Sequence, residues 1–379
     1  MSVAHIKQAL NTVRHPLSSC LSLPPACYHD QAWWRHEMKC LFGKGWFAVG
    51  RVDQWQAPGD FEAINVANIP LVIIMGKDHK LRAMSNTCLH RSSQIMSGSG
   101  NCRAMVCPFH GWSYDATGQV ISAPRMETAE CFSENEHQLK PFNVAVQDGF
   151  VFLSLQDNPE PLHQWLGDFS DLHRAWSFND LATSRRRSFA VDCNWKLFIE
   201  VFNEYYHLPY VHPDSIGGLY SEPDAADDVI GQYTSQFGRT SGNAALLEVA
   251  QQQGRSLPVI KSLDEIRRKG TRYTWVYPNM TFAASSDCLW MYHVYPLSGA
   301  STRVVQTVCF PSATIARRDF KAKSAEYYKR FDLAIDEDIP ALEKQQTGMQ
   351  SPYAVQGRFS ALEPSVGNFA CWYSEATRK

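Results

Sequence analysis

Short apolar runs that end in turn-forming residues dominate the chain between about positions 45 and 157. The runs at 46–49, 61–66 and 71–74 have the length and the β-branched or aromatic content of strands. Gly, Lys, Asp and His follow the third run at 76–79 and have the composition of a hairpin turn. The pattern predicts a small all-β domain over residues 45–157.

Helical periodicity is typical of the two flanking regions. It predicts a helix within a lead-in of residues 1–44, and further helices at 195–206 and 317–347. Strand-like runs lie between the last two helices, at 272–277, 290–295 and 303–308. We therefore predict an α+β fold, in which the lead-in packs on a larger domain at 165–379 and the all-β domain is inserted between them.

Composition narrows the classes of function. The 379 residues include 36 basic and 38 acidic side chains, and the formal net charge of -2 argues against a nucleic-acid binder. No apolar run approaches the roughly 20 residues that span a bilayer, and no secretory signal is visible. We therefore expect a cytoplasmic protein without a membrane partner. The first acidic residue is Asp30, and this acid-poor start leaves an organelle transit peptide as the alternative.

Two cysteine–histidine pairs stand out from the eleven cysteines and thirteen histidines. Cys88 and His90 form a Cys-x-His pair, and after sixteen further residues Cys107 and His110 form a Cys-x-x-His pair. Two thiolates and two imidazoles suit a tetrahedral zinc ion. They also suit a 2Fe–2S cluster with two Cys on one iron and two His on the other. In a reducing compartment, either site is favoured over disulfides.

A second group of candidate ligands lies at 204–212. Glu204 and His207 are three residues apart and are expected to share one face of the helical run between Trp195 and Pro209. Pro209 is expected to end that helix, after which a turn would bring His212 back towards His207. Two imidazoles and one carboxylate form the facial triad of non-haem ferrous oxygenases, which leaves coordination positions open.

Both groups resemble those of one family, the Rieske non-haem iron oxygenase α subunits. The two Cys/His loops are similar to Rieske cluster loops, and they lack the extra cysteine pair of respiratory-chain Rieske proteins. The Asn-Trp-Lys sequence at 194–196 and the Glu-x-x-His-x4-His spacing resemble the catalytic domain. The resemblance implies a small all-β Rieske domain and a larger helix-grip catalytic domain with a central antiparallel sheet.

The resemblance also implies cofactors and their ligands. The two Cys/His pairs would hold a 2Fe–2S cluster that receives electrons from NAD(P)H through a separate reductase or ferredoxin. A mononuclear Fe(II) would bind to His207, His212 and a late carboxylate, for which Asp338 fits best and Asp336 is the fallback. Glu204 would bridge the two metal sites between neighbouring subunits of a homotrimer.

The bridging position bears on the substrate. Aromatic-ring dioxygenases usually have Asp there, whereas Glu204 resembles the branch that oxidises carnitine, choline and glycine betaine. Aromatic side chains could surround such a cation, stack on an aromatic substrate or fill a core. The candidates are Tyr205, Tyr206, Tyr210, Trp275, Tyr277, Trp290, Tyr292, Tyr295 and Trp372.

We therefore predict a terminal oxygenase component that uses O2 to hydroxylate or oxidatively demethylate a small organic substrate. A quaternary ammonium compound is the preferred substrate class. The alternatives are an aromatic or alicyclic acid oxygenase and a Rieske electron carrier with a non-catalytic C-terminal domain.

Overall fold

The computed structural model describes residues 2–378 and divides into two compact units. The smaller unit is Phe42–Leu162, and the larger unit combines Met1–Leu41 with His163–Lys379. The predicted boundaries at 44/45 and between 157 and 165 lie within a few residues of these divisions. The smaller unit is therefore an insertion in the sequence of the larger one.

The smaller unit consists of antiparallel β-structure. Its strands are β1 (Phe47–Arg51), β2 (Asp60–Val66), β3 (Ile69–Met75), β4 (Leu81–Ser85), β5 (Ser99–Asn101), β6 (Met105–Val106), β7 (Ser113–Tyr114), β8 (Val120–Ser122), β9 (Pro141–Gln147) and β10 (Phe150–Ser154). Seven of them form a sheet in the order β1-β10-β9-β4-β3-β2-β5, and β6-β7-β8 form a second sheet. The predicted strands and the turn before β4 are confirmed.

Among the described residues, the larger unit contains ten α-helices, several short 3-10 helices and one antiparallel sheet. Its helices are α1 (Val3–Ala9), α2 (Gln31–Leu41), α3 (Leu162–Leu166), α4 (Phe169–His173), α5 (Trp195–Phe202), α6 (Leu208–Val211), α7 (Glu248–Gln252), α8 (Ser312–Ile315), α9 (Phe320–Met349) and α10 (Pro364–Arg378). Its strands are β11 (Leu181–Val191), β12 (Tyr220–Pro223), β13 (Tyr233–Thr240), β14 (Gly270–Val276), β15 (Met280–Ala284), β16 (Leu289–Ser298) and β17 (Ser301–Pro311). The sheet order is β11-β17-β16-β15-β14-β13-β12.

The helix expected at 195–206 is shorter than predicted. Asn194 caps its start, because the side-chain oxygen accepts a hydrogen bond from the backbone N–H of Lys196. The helix ends at Phe202, so the expectation that Glu204 and His207 share a helical face is wrong. The Glu204 carboxylate instead accepts hydrogen bonds from backbone N–H groups that follow it, which competes with helix continuation.

Pro209 has the opposite role to the one expected. It lies in the first turn of α6, where its missing N–H costs no hydrogen bond. The chain therefore leaves one helix and enters a short second one within six residues. This break carries His207 to the N-terminal end of α6 and His212 to its C-terminal end.

A buried ion pair joins the N-terminal lead-in to the rest of the larger unit. Lys196 on α5 and Glu37 on α2 are both fully buried, with 2.6 Å between Nζ and Oε1. The Tyr373 hydroxyl on α10 donates to the same carboxylate oxygen, and the Trp195 indole N–H donates to the other. The ammonium also lies 5.1 Å from the Tyr28 ring centroid. Helices α2, α5 and α10 are therefore held together by one buried polar cluster whose groups are hydrogen-bonded to one another.

All eleven cysteines are free thiols in the structure, with Cys131 alone exposed. Within residues 2–378, every helix is too short or too polar to cross a bilayer.

Replacing Lys196 with Met is expected to destabilise the larger unit by about 3–5 kcal/mol, because it leaves the Glu37 carboxylate buried and unpaired. Urea unfolding followed by tryptophan fluorescence measures the loss. Arg317→Met, which removes one partner of an exposed pair with Asp319, is the control and should cost less than about 1 kcal/mol. Equal losses in the two variants would contradict the role of the buried cluster.

Candidate active site

The two Cys/His pairs lie on adjacent loops of the smaller unit. The first loop follows β4, and the second connects β6 to β7. The thiols of Cys88 and Cys107 are buried, and the rings of His90 and His110 lie at the surface side with 4.6 Å between their centroids. The structure therefore brings together all four residues that the sequence singled out.

Backbone geometry and neighbouring aromatic side chains fix the conformation of these two loops. Gly111 has a φ of +77°, a conformation that favours glycine, and its N–H donates to the Cys107 carbonyl. The Tyr114 hydroxyl lies 3.2 Å from the Cys88 sulfur and accepts a hydrogen bond from the Leu89 N–H. Trp112 stacks on the His90 ring at 5.3 Å. Sequence reasoning did not assign these two aromatic residues a part in the site.

The chemistry of the four residues fits a two-iron cluster. Burial opposes ionisation of Cys107, but hydrogen bonds from the backbone N–H groups of Phe109 and His110 outweigh it and hold its pKa below the usual value. Nδ1 of His90 is buried and has no hydrogen-bond partner in the described chain. Among the described residues, no three of these four ligand atoms lie within 4.8 Å of one another. A single tetrahedral zinc ion needs such a compact set, whereas two irons do not.

The larger unit contains a compact set of metal-ligand atoms. His207 lies at the N-terminal end of α6, His212 at its C-terminal end, and Asp338 on α9. One donor atom from each lies within 4.8 Å of the others. The Asp338 Oδ1 atom is 3.0 Å from Nε2 of His212 and 3.7 Å from Nε2 of His207. The structure therefore brings the three predicted ligands to one point.

Each imidazole is oriented by a second carboxylate. Glu204 Oε1 is 2.5 Å from Nδ1 of His207, and Glu337 Oε2 is 2.7 Å from Nδ1 of His212. An Nδ1–H donated to a carboxylate leaves the Nε2 lone pair free for a metal ion. Burial lowers the pKa of His212, but Asp338 and Glu337 outweigh it and raise the pKa above the usual value.

Asp338 has the environment expected of a metal ligand. Its Oδ1 atom is buried and makes no hydrogen bond in the described chain, although two imidazole nitrogens face it. The fallback residue Asp336 is exposed and lies on another face of α9, beside Tyr328 and Asp332. Glu337, between them, was not predicted to touch the site, because sequence spacing alone does not show that it reaches His212.

The three ligands open into a cavity with aromatic walls. Its aromatic lining consists of Phe198, Phe202, Tyr205, Tyr220, Tyr273, Trp290 and Tyr292. Three of the nine aromatic candidates named from the sequence are therefore at the cavity. Tyr206 and Tyr210 are exposed instead, and Trp275 and Trp372 pack on Phe369 of α10.

Four aromatic residues of the cavity, Phe198, Phe202, Tyr220 and Tyr273, were not among the candidates named from the sequence. Tyr220 and Tyr273 lie on β12 and β14, and their hydroxyl groups are 2.7 Å apart. Phe202 packs on both Tyr273 and Tyr292 at 5.4 and 5.0 Å between ring centroids. Strand pairing brings the tyrosines together and the end of α5 adds Phe202, and the sequence does not show these contacts because the residues are far apart in it.

Two family models match the chain. The ring hydroxylating alpha subunit (catalytic domain) matches residues 178–379, and the Rieske 2Fe-2S domain matches residues 45–133. The first match covers more than half of the chain.

Relatives match over nearly the whole length. Choline monooxygenase of Arabidopsis thaliana is 28% identical, over 94% of this chain and 83% of that relative. The oxygenase subunit of glycine betaine monooxygenase of Pseudomonas aeruginosa is 26% identical, over 93% and 88%. The crystal structure of the quaternary ammonium Rieske monooxygenase CntA with L-carnitine has a TM-score of 0.77 at 23% identity, over 94% of this chain and 96% of that chain.

These matches agree with the two sites. The Rieske model spans both Cys/His loops, and the catalytic model spans the two histidines and Asp338. They confirm the predicted class of enzyme and its cofactors, a 2Fe–2S cluster and a mononuclear iron. The chain belongs to the Rieske non-haem iron oxygenases, as an α subunit with a Rieske domain and a ring-hydroxylating catalytic domain.

Proposed function

We propose that this protein is the oxygenase component that hydroxylates or oxidatively demethylates a small quaternary ammonium compound. The observation that carries the proposal is a three-ligand metal site that opens into a small cavity walled by aromatic rings. Aromatic faces attract ammonium ions, most strongly where water is excluded. The relatives named above act on choline and on glycine betaine, and the similar structure holds L-carnitine.

We assign the mononuclear iron to His207, His212 and Asp338. Ferrous iron with three protein ligands keeps positions open and supplies the activation of O2. Glu204 and Glu337 hold the imidazole rings so that both Nε2 atoms face Asp338. The aromatic walls exclude water and hold the substrate beside the ligands.

We assign the 2Fe–2S cluster to Cys88, His90, Cys107 and His110. It would take electrons from an NAD(P)H-dependent reductase or ferredoxin that is a separate protein. The four loop residues are supported by their proximity and by the lowered pKa of Cys107.

We propose that Glu204 couples the two metal sites of neighbouring subunits in a homotrimer. It would do so by contacting one imidazole ligand of each site. Its Oε1 atom already contacts Nδ1 of His207, while Oε2 accepts hydrogen bonds from backbone N–H groups. We also propose a cytoplasmic location, because the nine cysteines outside the proposed cluster form no disulfide, which suits a reducing compartment.

Replacing His207 with Ala is expected to remove the mononuclear iron and spare the cluster. Iron should fall from about three to about two per chain, with two acid-labile sulfides and the red-brown spectrum retained. Metal analysis by plasma mass spectrometry measures the change. His163→Ala, at an exposed position, is the control. Full iron content in the His207 variant would refute this ligand.

Replacing Glu204 with Ala is expected to retain both metals and lower steady-state product formation by roughly 10- to 100-fold, because the His207 ring loses its partner. Rapid mixing of the reduced protein with substrate and O2 follows cluster oxidation directly, and it should slow in parallel. Glu343→Ala, an exposed carboxylate on α9, is the matched control. Cluster oxidation at the normal rate in the Glu204 variant would rule out the bridge.

A coupled assay with a reductase and NADH tests the substrate class. We expect turnover of at least one of choline, glycine betaine and carnitine, detected as substrate-dependent product by mass spectrometry, because the aromatic walls suit an ammonium group. Turnover of aromatic or alicyclic acids alone would reject the quaternary ammonium proposal in favour of its alternative.

A further inference from the structure

One positively charged side chain lies inside the substrate cavity. Arg330 is on α9, lines the same cavity as the three metal ligands, and is only 4% exposed. It precedes Asp338 by eight residues, which corresponds to about 12 Å along a helix. Both side chains therefore start from one helix, about two turns apart, and line one cavity.

Arg330 has few partners for its five N–H groups. Nη2 donates to the Tyr220 hydroxyl at 3.0 Å, while Nε is buried and has no hydrogen-bond partner in the described chain. Its other neighbours are aromatic, with Cζ 5.3 Å from the Trp290 ring centroid. Among the described residues, no carboxylate forms an ion pair with it.

A comparable buried arginine of the same unit has the carboxylate partner that Arg330 lacks among the described residues. Arg272 on β14 is also buried, at 7% exposure, and it forms an ion pair with the Asp227 carboxylate. A buried charge without a counter-ion is costly, and burial is normally accompanied by pairing and by hydrogen bonds to the remaining donors. Arg330 faces a cavity, so its counter-ion can come from a bound molecule.

A carboxylate is the anion that this arrangement fits. Guanidinium N–H groups form a planar fork that binds two carboxylate oxygens at once, and this geometry is stronger than a bond to a neutral acceptor. The Tyr220 hydroxyl lies beside the fork, and when Tyr273 donates the hydrogen bond between the two hydroxyls, Tyr220 keeps its own proton for the same carboxylate. By contrast, the positive charge of Arg330 repels any ammonium group placed next to it.

We propose that Arg330, together with Tyr220, binds the carboxylate of the substrate. Combined with the proposed function, on which this step rests, the assignment makes the substrate a betaine, with a quaternary ammonium group and a carboxylate on one short chain. The carboxylate lies at Arg330, and the ammonium group lies against aromatic rings nearer the metal ligands. An ammonium alcohol such as choline leaves the arginine unpaired and is a poorer ligand.

Isothermal titration of the metal-loaded protein tests the proposal, with glycine betaine and choline as a pair. The two ligands share a trimethylammonium group and differ in the carboxylate. We expect glycine betaine to bind more tightly than choline. Arg330→Gln should lower the affinity for glycine betaine roughly 10- to 100-fold, which is the usual loss when a hydrogen bond to a charged group is removed. Choline binding should be unchanged or tighter in this variant.

Two further variants serve as controls. Lys329→Gln removes the same charge from the exposed neighbouring position on α9 and should leave both affinities unchanged. Arg330→Lys keeps the charge without the fork and should retain part of the preference for glycine betaine. Choline binding and the visible spectrum of the cluster show in each case whether the variant is folded.

The outcomes separate this proposal from the proposed function. Equal affinity for the two ligands in the wild-type protein, or an affinity ratio that Arg330→Gln does not change, would overturn the carboxylate subsite and leave a quaternary ammonium oxygenase in place. Benzoate serves as the third ligand. Binding of benzoate alone, with an affinity that falls in Arg330→Gln, would support the carboxylate subsite and overturn the quaternary ammonium proposal.

Discussion

The catalytic site depends on the hydrogen bonds between two imidazole rings and two carboxylates. Glu204 holds Nδ1 of His207, and Glu337 holds Nδ1 of His212. Both contacts fix the tautomer and turn the two Nε2 atoms towards Asp338. Without them, the two imidazole rings would be freer to rotate, and their Nε2 atoms would be held less firmly towards the buried Oδ1 atom of Asp338.

The fold supplies those carboxylates by breaking a helix and by keeping another one long. The end of α5 at Phe202 frees Glu204 to accept hydrogen bonds from the backbone that follows, which sets the entry into α6. The uninterrupted run of α9 carries Glu337 and Asp338 to the histidines on consecutive positions. The same helix places Arg330 about two turns earlier in the cavity wall. One helix thus contributes to metal binding, ring orientation and the proposed recognition of substrate.

The proposed ligands could be named from the sequence, because metal chemistry limits them to a few residue types at short spacings. Cys88, His90, His207 and His212 belong to local patterns, and Asp338 follows from a resemblance in an acidic segment. The residues that support them were harder to predict. Tyr220 and Tyr273 meet only through strand pairing, and Glu337 reaches His212 across 125 positions. The helical spacing of Glu204 and His207 was misleading, since side-chain hydrogen bonding to the backbone overrides helix propensity there.

The most direct test of the metal site is electron paramagnetic resonance of the anaerobic, iron-loaded protein after addition of nitric oxide. This probe binds to ferrous iron that has an open position and gives a characteristic signal. The account predicts the signal in the wild-type protein and in Asp336→Ala, and its loss in Asp338→Ala. A signal that survives in Asp338→Ala and disappears in Asp336→Ala would contradict the assignment of the carboxylate ligand.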